Sequence, residues 1–212
     1  MKTLTTFLMA LILMSSQLLA QSGNYQTAMK KGLDLLSAAK TPENFIAAAN
    51  HFERIANGES KQWLPVYYSA YAHLTAGLLS QDNSLKDQYF DMALKQIELA
   101  QAVLPDNSEI FALQGYCQFM KMSVDPQSRF SLIADARASL EKAKQLNPEN
   151  PRPWFVQGQN TFYTPEAFGG GKAMAKGLLE QAVAKYEQFK PEMELAPGWG
   201  AERAKMLLAQ CR

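Results

Sequence analysis

Chemistry needs reactive side chains at workable spacing, and this chain offers few of them. In 212 residues there are two histidines, His51 and His73, and two cysteines, Cys117 and Cys211. Neither histidine has a partner at metal-ligand spacing, and no HExxH, CxxC, GxSxG or paired-carboxylate motif occurs. His51, next to Phe52, reads as a structural histidine at a core edge, and Cys117 as a small buried hydrophobe. Glu98, Glu141 and Glu180 stand singly among Lys and Gln, as on a solvated helical face. The most distinctive local run is Thr164–Lys172, where Gly169, Gly170 and Gly171 precede Lys172. Backbone N–H groups and a cation ahead of a helix suit an anion. The spacing is not that of a Walker A loop, because Ala173 follows the lysine and no strand precedes the glycines. The plainer reading is a turn that uses positive φ to reverse the chain between two helices. This inventory predicts a protein that is not an enzyme and needs no cofactor or metal.

The elements that must position any site are helical. Lys and Arg total 21 against 20 Asp and Glu, so no basic excess attracts nucleic acid. Ala, Leu, Lys, Glu and Gln dominate, while Val and Ile are too few and scattered for a sheet. Residues 1–20 read as a signal peptide: Lys2, the short apolar run Leu4–Leu13, then Ala20 before Gln21. No cysteine follows that run to carry a lipid. The mature chain, 21–212, is then one exported domain that does not insert in a membrane after cleavage. The Ala-Gln junction resembles those of secreted Bacteroidetes-type proteins, which implies the periplasm.

Along that domain apolar positions recur at helical spacing, with breaks near Asn57–Ser60, Ser80–Ser84, Pro105–Asp106, Ser123–Ser128, Pro148 and Thr164–Lys172. Thr41 and Pro42 make a strong helix start, and Asp106–Glu109 another. Ala136, Leu140 and Ala143 share one helix face, Pro148 ends that helix, and Pro151, Trp154 and Gly158 open the next.

Small, large, small, proline, then tryptophan and glycine resembles the tetratricopeptide repeat (TPR). Aligning Ala48, Ala93, Ala136 and Ala182 gives steps of about 45, 43 and 46 residues, against about 34 in the standard repeat. The resemblance implies an all-α, right-handed solenoid of four helical hairpins, closed by a capping helix over Trp199–Gln210. In such proteins the first helix of each hairpin lines a concave groove. Extending the register from Trp154 and Gly158 points Arg152, Phe155, Gln159, Phe162 and Tyr163 inward. In hairpin three it points Glu109, Ala112, Tyr116, Phe119 and Met120 inward. The function this implies is a periplasmic adaptor that holds a segment of another protein in the groove. The segment Pro165, Phe168, Gly169–Gly171 also looks like one in periplasmic TPR proteins distantly similar to a component of TRAP-type transporters. That implies an alternative, a small-molecule-binding accessory of a solute transport system.

Overall fold

A computed structural model describes residues 23–191 and 193–211; the expected leader, 1–20, lies outside the described residues. Helix α1 covers 23–38, followed by α2 (Pro42–Gly58), α3 (Trp63–Leu79), α4 (Asn83–Val103) and α5 (Ser108–Val124). Then come α6 (Leu132–Leu146), α7 (Pro151–Tyr163), a short 3-10 turn at Glu166–Phe168, α8 (Lys172–Gln188) and α9 (Ala201–Ala209). Helix starts are written in the local sequence. Thr41, Asp82, Asn107 and Asn150 each accept a hydrogen bond from a backbone N–H of the first turn that the helix itself leaves unpaired.

Helix α1 packs on α2 through Gly32–Phe52 and His51–Ala28; α3/α4, α5/α6 and α7/α8 pair likewise, and the pairs stack so that α3 meets α5 and α5 meets α7. This is the all-α, TPR-like solenoid the spacing implies, and the four repeat alanines are all buried. The repeat has a second marker. In each hairpin a glycine of the first helix receives a large side chain of the second: Gly32 takes Phe52, Gly77 takes Phe90, Gly115 takes Leu140 and Gly158 takes Leu179. A Cβ on Gly115 would lie 2.7 Å from Leu140 Cγ and 2.9 Å from Ala136 O, so the helices pack closer than alanine permits. Each of these rings or branched chains, once seated, contributes roughly 1.5–3 kcal/mol of apolar burial.

Cys117 is fully buried, and Cys117 and Cys211 are both free thiols. His51 Nε2 lies 2.9 Å from Ala28 O and ties α2 to α1, while His73 Nε2 sits 3.1 Å from Glu53 Oε1. Among the described residues no helix is long and apolar enough to cross a membrane.

The end of the chain departs from the sequence reading. Trp199 and Gly200 precede α9 instead of forming part of a cap from residue 199 onward. Residues 193–200 form a non-helical strap laid over the inner helices. Pro197, Gly198 and Gly200 explain the lack of helix there. Gly200 has φ 108°, and a Cβ on it would come 2.0 Å from Tyr186 Oη, so only glycine fits the turn into α9.

Candidate functional site

Polar side chains of the hairpins hold the strap. Tyr68 Oη donates to Leu195 O at 2.8 Å, and Tyr186 Oη donates to Trp199 O at 3.0 Å. Arg152 donates to Pro197 O and, at 2.8 Å, to Glu109 Oε1. The indole N–H of Trp199 donates to Tyr67 Oη at 2.8 Å. Lys30 of α1 pairs with Glu194 at 2.8 Å on the outside. The strap is therefore tied to hairpins one, two and four directly, and to hairpin three through the Arg152–Glu109 pair. Burial pushes Tyr67, Tyr68 and Tyr186 well above the ordinary phenol range. Their hydroxyls stay protonated, so Tyr68 and Tyr186 remain donors at any physiological pH.

The strap divides the concave face in two. On Pro197's side lies a polar cavity of about 570 Å³ between the N-terminal ends of α5 and α7. On Trp199's side lies a larger cavity of about 1210 Å³ with a mostly apolar lining. Its floor is Trp199, Phe155 and Tyr116, with Tyr71 and Leu78 from α3 on one flank. Tyr71 and Trp199 stack at 5.3 Å and 20°, and Phe155 meets Trp199 edge-on at 6.2 Å. The walls are the two inserted loops. Pro126, Gln127 and Phe130 come from the α5–α6 connection, and Thr164, Pro165 and Phe168 from the α7–α8 connection. Phe130 and Phe168 are 65% and 75% exposed, so two aromatic rings stand open at the rim. The first loop is clipped to α4, because Arg129 grips Asp87 through both carboxylate oxygens. That hydrogen-bonded guanidinium holds the Asp87 carboxyl below its ordinary range.

Arg203, from α9, is the sole charged side chain among the described lining residues, and it donates to Tyr163 Oη at 2.5 Å. Burial pushes Tyr71 up to about 12 and raises Tyr116 as well, so both face the cavity as neutral phenols.

Of the residues the register points inward, Phe155, Gln159, Tyr163, Tyr116, Phe119 and Met120 come together on this cavity. Three do not. Arg152 is 1% exposed, because the strap covers it; Ala112 is fully buried in the core; and Phe162 packs against the core with Lys172 above its ring at 5.8 Å. In the glycine turn the backbone donors are used within the chain. Gly169, Gly170 and Gly171 donate their N–H groups to Glu166 O, Pro165 O and Thr161 O. Gly169 and Gly171 have φ of 79° and 96°, so the glycines serve the chain reversal. Sequence reasoning missed Tyr71, Phe130, Phe168 and Trp199. The signal for Trp199 was an aromatic residue stranded in a stretch broken by Pro197, Gly198 and Gly200. Among the described residues no group of three His, Cys, Asp or Glu is placed to hold a metal ion.

Neither the protein-family models nor the curated proteins give a match. Among solved structures, a thermophilic TPR protein from Thermus thermophilus aligns with a TM-score of 0.62 at 18% identity, over 88% of this chain and 80% of its own. That likeness shows the fold. The HusA haemophore from Porphyromonas gingivalis aligns with a TM-score of 0.78 at 31% identity, over 89% of this chain and 92% of its own. The chain belongs to the same TPR-like helical family as the HusA haemophore.

Proposed function

We propose that the chain is a non-enzymatic, exported binding protein that takes a tetrapyrrole of the haem class into the aromatic cavity. The observation that carries this reading is the cavity itself: about 1210 Å³, floored by Trp199, Phe155 and Tyr116, with Arg203 as the sole charged residue among its described lining residues. A flat apolar ring with carboxylates on one edge matches that lining. Its faces meet aromatic walls and its acid groups meet a guanidinium. The relationship to a haemophore supports the ligand class. Haem is cargo here, and the chain's work is to shield its ring from water.

The groove of a TPR protein would otherwise receive a segment of another protein. Here the chain's own strap lies on the inner helices, and the space left open has the form of a small-molecule site. That favours the ligand-binding alternative over peptide capture. Compartment follows from the leader read at residues 1–20: we place the protein in the periplasm, which fractionation of its own cells checks.

The test is titration of residues 21–212 with haemin, followed by the Soret band and by tryptophan emission. Saturable one-to-one uptake, weakened by Arg203→Ala, is expected. No saturable uptake, together with an envelope protein captured by the same chain, would return the groove to the adaptor reading.

A further inference from the structure

Trp199 lines the cavity, yet both its hydrogen bonds are made to residues that do not line it. Its N–H is tied to Tyr67 and its carbonyl to Tyr186; Tyr71 stacks on its ring, and the Arg152 guanidinium lies 5.4 Å from the ring centre. Phe155 and Tyr116 meet it at 6.2 and 6.1 Å. An indole with its N–H hydrogen-bonded and one face stacked has lost its freedom to rotate. Tyr67 and Arg152 are almost wholly buried, Tyr186 is partly buried against the core, and none of the three is among the cavity's lining residues.

We infer that the strap 193–200 is a built-in occupant of the concave groove, that it presents Trp199 as the plate on which the ligand ring lies, and that Tyr67, Tyr186 and Arg152 are positioning residues for that plate. The inference rests on the tetrapyrrole reading for the identity of the ring. The physical basis is preorganisation: a plate fixed before binding need not be ordered when the ligand arrives, and a plate that rotates holds its ligand less well. Loosening the strap therefore acts on ligand departure. The association rate, set by diffusion into an open cavity, stays where it was. A residue that merely stabilised the fold would lower the melting temperature without splitting the two rates.

The experiment uses the mature chain with Trp63→Phe and Trp154→Phe, so that Trp199 alone emits. Tyr67→Phe and Tyr186→Phe each delete one hydroxyl and keep the ring; Tyr68→Phe frees Leu195 O without touching Trp199 and serves as the comparison. Without ligand, acrylamide should quench Trp199 at least twofold more efficiently in the first two variants than in the parent. With haemin as probe, their dissociation rate should rise about threefold to tenfold, the worth of one hydrogen bond, with the association rate unchanged. Tyr68→Phe should lie between them and the parent in both readouts. Unchanged quenching in Tyr67→Phe and Tyr186→Phe would overturn the positioning role. Increased quenching with an unchanged haemin dissociation rate would overturn the role of Trp199 as the plate. Should haemin not bind the parent at all, the tetrapyrrole reading and the plate fall together, and the ligand-free quenching decides the seating by itself.

Discussion

Phe168→Ala separates binding from folding more cleanly than any other substitution at this site, because the ring is 75% exposed. A phenylalanine side chain carries about 200 Å² of surface, so about 150 Å² of this one faces water. A flat ligand covering one face of the ring removes about 75 Å², worth about 1.9 kcal/mol at 25 cal/mol per Å². That is about a 20-fold loss of affinity when the ring is deleted. The same arithmetic for Phe130, 65% exposed, gives about 1.6 kcal/mol and about a 15-fold loss. Neither ring is part of the core, so the melting temperature should hold to within the roughly 0.5 kcal/mol typical of surface substitutions. The assay pairs haemin titration by Soret absorbance with thermal melts followed by circular dichroism. If the parent binds haemin and both single variants stay within twofold of it, the rim rings do not touch the ligand. A fall in melting temperature of more than about 5 °C would show instead that the ring braces its loop.

Three further outcomes follow from the geometry. Gly115→Ala forces a Cβ to 2.7 Å from Leu140 Cγ, an overpacking that should cost about 1–3 kcal/mol in denaturant melts; an unchanged midpoint would mean the α5/α6 pair can part without loss. Stability should fall above pH 10, because the unfolded chain sheds its phenol protons near 10 while folded Tyr71 holds its own to about 12. This contribution, on the order of 2 kcal/mol for Tyr71, is whole below pH 10 and lost between pH 10 and 12. Tyr71→Phe should flatten that part of the profile, and a parent equally stable at pH 9 and 12 would contradict the burial argument. Arg129→Gln removes the clip to Asp87, so limited proteolysis should cut residues 125–131 faster while the melt moves by less than about 1 kcal/mol. Equal cleavage rates would show that the loop holds itself.

The repeat was legible because periodicity and helix punctuation are local. Ala48, Ala93, Ala136 and Ala182 mark buried faces from sequence alone, and Thr41 and Pro42 announce a helix start that the backbone confirms. The register implied by the TPR resemblance pointed Phe155, Gln159, Tyr163, Tyr116 and Phe119 inward, and they do meet at one cavity. It misjudged Arg152, which it also pointed inward but which lies under a strap no periodicity describes. Phe130 and Phe168 sit in the two stretches that interrupt the repeat. Spacing identifies those stretches as insertions, but where an inserted loop folds is settled by distant packing. In hairpin two, Trp63, Tyr67, Tyr68 and Tyr71 blur the pattern because α3 has a neighbour on nearly every side. The sequence left that register open; in the structure Gly77, seated under Phe90, marks it.

The strap also changes how the molecule must come together in time. A stack whose units touch only their neighbours can fray from either end, each repeat opening almost independently. Here Trp199 is bonded to Tyr67, 132 residues earlier, and Tyr68 to Leu195 across 127. Those long-range bonds close the array into a loop, so hairpins two to four share one cooperative transition instead of melting in sequence. They also raise the contact order of an otherwise local fold and slow its final step. The cavity is complete only when the residues after α8 have docked on the hairpins.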